Sequence, residues 1–423
     1  MDVQKKLLLI AYYYPPQPVA GARRAAFLAR YLGDYGWSCT VLTRGGSCDE
    51  DKTVPVVAVG EPQWFSRDYA SATAGSAPNG LVPANIKRFP GVRQLAGLAK
   101  SIVYFPDRAI GWFPNALHAA YQLQRENRFG AVLSSAMPAS AHLVASLLSQ
   151  KFNVPWLADY RDPWTGNRGA EHGPIRTAAD ALLERITLRR ASALTTVSQS
   201  CARILERLHH RPVTIIPNTY DPIEFQGFAD DRPRSFSVCF TGDLQGGKRS
   251  PETLFRAVAT LRAASDPIAE AISLHFYGAD SHRIRPMAAQ YGLDDRVFSH
   301  GLVDHAAALQ AQRSAAVLLV LLWFDGSADD EMGSKIYEYL GAGRSILVIG
   351  PSSNVLKGYV ANTGCGWFAY DEPTCVDALR LAFTEFQTPP SVVRRTRSLA
   401  YTARDLVKSF ADVLDQIPGR AKA

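Results

Sequence analysis

The densest gathering of chemically useful side chains lies between residues 329 and 351, DDEMGSKIYEYLGAGRSILVIGP. If Ser334 caps a short helix that begins at Lys335, the amides around Gly333 and Ser334 form a helix start at which an anion is favoured. Lys335 adds a full positive charge there. Glu338 falls one turn into the helix, where its carboxylate can accept charge-assisted hydrogen bonds from both hydroxyls of a ribose. Gly341 and Gly343 then stop the helix and let the chain turn into SILVIG. The stretch would suit a nucleotide, with phosphate at the helix start and ribose on the acid. The same residues would also suit a surface helix with acids on its N-terminal side, and composition alone does not choose between the two.

Two other loops carry related chemistry. Gly242 to Ser250 is glycine-containing and ends beside Lys248 and Arg249. Two cations before a helix attract a pyrophosphate, although both would also serve as solvated surface charges. Ser250 reads as the N-cap of that helix and Pro251 as its first residue. Tyr14 to Arg24, YPPQPVAGARR, is held irregular by its prolines until a helix can begin near Gly21 or Ala22. Gly21 permits close backbone approach, so phosphate contact and simple capping both remain open. The loop is not GxGxxG, and the NAD fingerprint is absent.

These loops need elements to hold them. KKLLLI, then a helical pattern at Phe27, Leu28, Tyr31, Leu32 and Tyr35, then SCTVLT, make a βαβ unit. GAVLSS, VPWLADY, ALTTVS and VTIIPN continue as short buried strands, separated by helical patterns over 140–152 and 177–191. A linker-like stretch at 217–235 precedes a second series, with strands at SFSVCFTG, SLHFYG, AAVLLVLL and SILVIG. Strands alternating with helices predict α/β architecture, with two doubly wound parallel sheets in tandem and ligands in the cleft between them. The boundary is set at 225/226, with the last helix packing back on the first domain. Residues 60–115 mix aromatic, basic and breaker residues with little period. They suit either a functional excursion over an acceptor or membrane, or an irregular packed one.

The totals narrow the classes. A chain of 423 residues with 47% hydrophobic and 20% charged residues suits two globular domains. Six scattered cysteines without a CxxC pair predict free thiols, with neither a zinc site nor a disulfide framework. The N-terminal apolar run is cut short by Pro15 and Pro16 and reads as a strand, not a signal peptide. No apolar stretch approaches the roughly 20 residues of a spanning helix. A net charge of +7 favours anionic partners, but the basic residues are dispersed and carry no nucleic-acid-binding signature, so no nucleic acid is expected.

Six segments in order resemble glycosyltransferase family 4, of the GT-B fold: the first βαβ run through SCTVLT, PWLADYRDPW, TTVSQS with IIPNTYDP, FTGDLQGGKR and EMGSKIYEYLGAGRSIL. The resemblance covers most of the chain. It implies two Rossmann-like domains, a nucleotide-sugar donor bound mainly by the C-terminal one, an acceptor bound mainly by the N-terminal one, and retention of anomeric configuration without a required metal or cofactor. The family's acidic pair, eight positions apart, matches Asp330 near the sugar and Glu338 on the ribose, with Asp330 standing where glutamate is usual. The Gly-Arg then Lys pair matches in part: Asp243 follows Gly242 where arginine is common, leaving Lys248 or Arg249 to face the pyrophosphate. Arg161 and Asp162 fall where relatives line the reaction centre, with a structural ion pair as the other reading. Arg23, Arg24 and His142 are the acceptor-side candidates, although a histidine on such a helix also suits packing.

The expected function is transfer of a sugar from a nucleoside diphosphate sugar to a glycan, lipid-linked or other glycoconjugate acceptor, in surface polysaccharide assembly. The expected location is cytoplasmic, with peripheral contact at the inner face of the membrane. A nucleotide-sugar epimerase of the same fold and a non-catalytic nucleotide-binding subunit are the alternatives.

Overall fold

The computed structural model describes residues 5–17, 20–45, 54–62, 103–167, 173–227, 233–278, 282–324, 333–388 and 401–417. Asp330, Cys48 and most of the 60–115 excursion lie outside them. The chain divides into two compact units, 1–217 with 404–423, and 218–403.

In the first unit the elements run β1 (Lys5–Ala11), α1 (Ala20–Tyr31), β2 (Trp37–Thr43), β3 (Val56–Ala58), α2 (Phe113–Asn127), β4 (Ala131–Ala136), α3 (Ser140–Phe152), β5 (Trp156–Tyr160), α4 (Pro174–Leu188), β6 (Ala193–Thr196), α5 (Gln199–His209) and β7 (Thr214–Ile215). The seven strands are all parallel, in the order β3-β2-β1-β4-β5-β6-β7. β1 shows why KKLLLIA folds this way: its two lysines are exposed and its next five residues are buried, as a strand covered on both faces requires. Leu9 of β1 stands opposite Val41 on one side and Leu133 on the other. Tyr12, Trp112, Trp156 and Tyr160 are among the largest buried side chains of the core.

The second unit repeats the plan: β8 (Ser237–Thr241), α6 (Glu252–Ala263), α7 (Pro267–Ala271), β9 (Ser273–Tyr277), α8 (Ile284–Gln290), β10 (Val297–Gly301), α9 (His305–Ser314), β11 (Val317–Leu321), α10 (Ser334–Ala342), β12 (Ser345–Ile349), α11 (Val355–Thr363), β13 (Gly366–Ala369) and α12 (Glu372–Gln387). Its six strands are also all parallel, ordered β10-β9-β8-β11-β12-β13. Fully buried strands such as β11, VLLVL, separate two apolar clusters. In both sheets the order reverses beside the first strand, between β1 and β4 and between β8 and β11, and a ligand of such a sheet binds outside the carboxyl ends at that point.

The last helix, α13 (Ala403–Gln416), packs against the first unit. Asp415 accepts from Lys5 Nζ at 2.8 Å and from Trp37 Nε1 at 2.9 Å, while the Arg24 guanidinium lies 4.9 Å from the centre of the Phe410 ring.

Three local expectations are corrected. The N-cap of α6 is Pro251, and Ser250 stands one residue earlier, its hydroxyl accepting from Glu252 N at 3.2 Å. The N-cap of α10 is Gly333, which makes Ser334 the first helical residue. Gly341 lies inside α10 and does not stop it; a Cβ there would come within 2.5 Å of Phe225 and 2.6 Å of Tyr220. The stop is Gly343, in the left-handed region with φ 68°.

Candidate functional site

In the second unit, the carboxyl ends of β8 and β11 are neighbours and the chain leaves them in two loops. The one after β8 carries Gly242 to Ser250. Gly242 N donates to Tyr277 O at 2.9 Å, and a Cβ on Gly278 would lie 1.7 Å from Gly242 O, so glycine at 278 is required for that approach. Trp323, just past β11, organises the rest: Nε1 donates to Gln245 Oε1 at 2.6 Å, its backbone pairs with Arg249, and the exposed Lys248 Nζ sits 4.6 Å from its ring centre. Arg249 Nη1 donates to Asp243 O at 3.3 Å and Arg283 Nη1 to Gly246 O at 2.8 Å. Lys248 therefore reaches solvent at the switch point, and its ammonium lies against an aromatic face among the described residues.

Beneath the loop, Glu338 on α10 is only 3% exposed. Its Oε1 accepts from Lys335 Nζ at 2.8 Å and from the buried Gln312 Nε2 at 2.5 Å. Gln312 also donates to Thr241 Oγ1 at 2.9 Å, and Thr241 N donates to the Tyr339 hydroxyl at 2.9 Å. Burial pushes the Tyr339 phenol above its usual value and the Cys239 thiol up to about 12, the latter opposed by the Lys335 charge. A buried carboxylate is tolerated only when hydrogen-bonded and charge-compensated. Here α9, through Gln312, and α10 itself, through Lys335, supply those partners, and Thr241 at the end of β8 holds Gln312 in turn. Thr241, Gln312 and Tyr339 were not singled out in the sequence, because only the β8–β11 adjacency brings them together.

In the first unit, Arg161 gathers the loops that follow β1, β4 and β5. Its amide donates to Ala136 O at 2.9 Å and its Nη2 to Met137 O. A Cβ on Gly21 would lie 1.7 Å from Arg161 Nη1, so glycine in the first turn of α1 is what admits this guanidinium. Burial lowers the Arg161 guanidinium from its usual value, with Asp162 and then Asp159 acting against that shift. Asp162 is exposed. Asp107, not anticipated from the sequence, fixes the start of α3: Ser140 N donates to Oδ2 at 2.9 Å and Ser140 Oγ to Oδ1 at 2.8 Å. Burial raises its carboxyl above the usual range.

The acceptor-side candidates separate. Arg24 is buried and bidentate on the buried Asp159, with Nε–Oδ2 and Nη2–Oδ1 both 2.9 Å, and also donates to Ile216 O at 2.9 Å and Pro217 O at 3.1 Å. This is the arrangement of a structural ion pair. His142 is fully buried, its Nδ1 2.7 Å from Ser134 Oγ and its ring packed on Trp156 and Tyr160. Burial, together with the charges of His209 and Arg161, pushes its imidazole down to about 3. Arg23 is half-buried, 5.8 Å from the Phe27 ring centre. Among the described residues, no group of three or more His, Cys, Asp or Glu is placed to hold a metal ion.

Residues 21–224 match the family model described as Glycosyltransferase Family 4. This segment is a family 4 glycosyltransferase domain. The solved structures similar to this chain include sucrose-phosphate synthase from Thermosynechococcus elongatus, at 16% identity and TM-score 0.65, covering 97% of this chain and 98% of that one. A glycosyltransferase from Rickettsia africae is similar at 10% identity and TM-score 0.63, covering 98% of each chain. Anabaena HepE in complex with UDP and glucose is similar at 12% identity and TM-score 0.63, covering 97% of this chain and 99% of that one. At these identities the likeness establishes the GT-B fold. No protein of curated function matches this chain in sequence.

Proposed function

We propose that this glycosyltransferase transfers a sugar, with retention, from a nucleoside diphosphate sugar to a glycan or lipid-linked acceptor in surface polysaccharide assembly. Its second unit would bind the donor and its first the acceptor. The observation that carries the proposal is Glu338: a buried carboxylate, paired to Lys335, in a helix that starts beside the switch point of the second sheet. Bound UDP and UDP-glucose in HepE structures of the same fold support a donor of this class.

The reaction requires the bond between the anomeric carbon and the β-phosphate oxygen to break as the acceptor oxygen bonds to that carbon. Negative charge collects on the diphosphate while the sugar becomes oxocarbenium-like, so cations and helix-end amides fixed around the diphosphate stabilise the transition state more than the ground state. Lys248 and the α10 amides are the groups suited to that. Glu338 would exchange its Lys335 and Gln312 hydrogen bonds for ribose hydroxyls, or share them. Asp330 would face the sugar. The departing phosphate takes the acceptor proton, so attack from the same face needs no side-chain nucleophile.

Titration calorimetry with UDP, GDP, ADP and dTDP on the wild type and on Glu338→Gln tests the nucleotide site. A donor panel with product analysis then tests the chemistry. Transfer to an acceptor, or slow donor hydrolysis without one, is expected. Conversion of the sugar with the nucleotide still attached would identify an epimerase, and binding without turnover a non-catalytic subunit.

A further inference from the structure

Helix α4 is inverted relative to an ordinary surface helix. Its two acids face inward: Asp180 accepts from Trp164 Nε1 at 3.2 Å and from Arg176 Nε at 2.8 Å, and Glu184 accepts from the Tyr160 hydroxyl at 2.8 Å and from Thr165 N at 2.9 Å. Ile175, Leu182 and Ile186 face outward, 87%, 62% and 60% exposed. At 3.6 residues per turn the three lie within roughly 40° of one another and extend about 16 Å along the helix. Single exposed aliphatic residues need no explanation. An aligned row on a helix that buries its carboxylates does, because the burial of those acids also leaves the outer face without negative charge.

The charge beside the row is positive. Arg185 and Arg189 are exposed at its C-terminal end. With His209, His210 and Arg211 they line a recess of about 360 Å³. Arg211 is held there by hydrogen bonds to Ala191 O at 2.8 Å and Ser192 O at 3.0 Å, so one wall of the recess is fixed. We propose that this face of α4 lies on an anionic lipid bilayer, with Ile175, Leu182 and Ile186 entering the headgroup–acyl boundary and the arginine-lined recess taking lipid phosphate. An apolar row edged by arginine is what interfacial binding to anionic lipid requires. A second copy of the chain is disfavoured, since a two-fold contact through this face would bring Arg185 and Arg189 near their own symmetry mates.

The proposal is independent of the assigned reaction and is tested without it. Full-length protein is sedimented with vesicles of phosphatidylcholine alone or mixed with phosphatidylglycerol, at low and high salt. Binding to the anionic vesicles only, weakened by salt, is expected. Leu182→Asp with Ile186→Asp should abolish it, and Arg185→Gln with Arg189→Gln should weaken it about fivefold per arginine; melting curves check that each variant is folded. Failure of the wild type to bind anionic vesicles, or undiminished binding by both variants, overturns the proposal. So does a wild-type dimer in sedimentation velocity that the aspartate variant dissociates, since a second copy would then cover the face.

Discussion

At the scale of single residues, the account turns on how buried charges are held. Glu338 and Lys335 are three positions apart on one helix, and Gln312 completes the carboxylate's hydrogen bonding. Glu338→Gln keeps the shape and removes the charge, so nucleoside diphosphate affinity should fall roughly tenfold or more, the scale of hydrogen bonds to charged groups, as read by calorimetry. Lys248→Ala should lower kcat more than affinity if that cation acts mainly on the leaving diphosphate. In the first unit, Gly21→Ala would drive a methyl into the Arg161 guanidinium. The expected result is a folded protein with reduced kcat, checked by steady-state rates beside a melting curve. His142 gives a stability signature. Its folded imidazole titrates near 3, below the ordinary value of 6.5, so the unfolded chain takes up the proton first. Its contribution is intact above about pH 6.5 and is lost as pH falls from there toward 3. Melting temperature should drop through that window, and less steeply in His142→Gln.

At the scale of elements, the strands that were legible are the continuous apolar runs, because a strand buried on both faces needs no alternation. β3, β10 and β13 were not. Val56–Ala58 is three residues, Val297–Gly301 has Phe298 and His300 exposed on one side, and Gly366–Ala369 is only partly buried. All three are outermost or next to nothing on one side, where packing asks little of sequence. The loops around the site were legible as loops, since glycine and proline punctuate them. The network around Glu338 was not, because its partner Gln312 and the Thr241 and Tyr339 behind it meet only through parallel pairing of strands distant in sequence. Arg24 was visible as a cation but not as a clamp: from the second turn of α1, its pairing with Asp159 joins β5 to the residues after β7. Removing one partner of such a buried pair costs about 3–5 kcal/mol, so Arg24→Met should lower the melting temperature by many degrees, measured by calorimetry.

At the scale of the whole molecule, two sheets alike in strand order apart from the extra edge strand β7 place two sets of loops at two switch points, and the candidate side chains divide between them. The second unit concentrates a buried acid, a helix start and an exposed lysine. The first has one arginine shared among three loops. The central claim is that the first of these groups is a nucleoside diphosphate site. The measurement that tests it most directly is a structure of the protein soaked with UDP, GDP, ADP or dTDP, whichever binds tightest. The account predicts the ribose hydroxyls on the Glu338 carboxylate, with the diphosphate at the start of α10 and within reach of Lys248. A nucleotide bound elsewhere, with Glu338 still held only by Lys335 and Gln312, would contradict it.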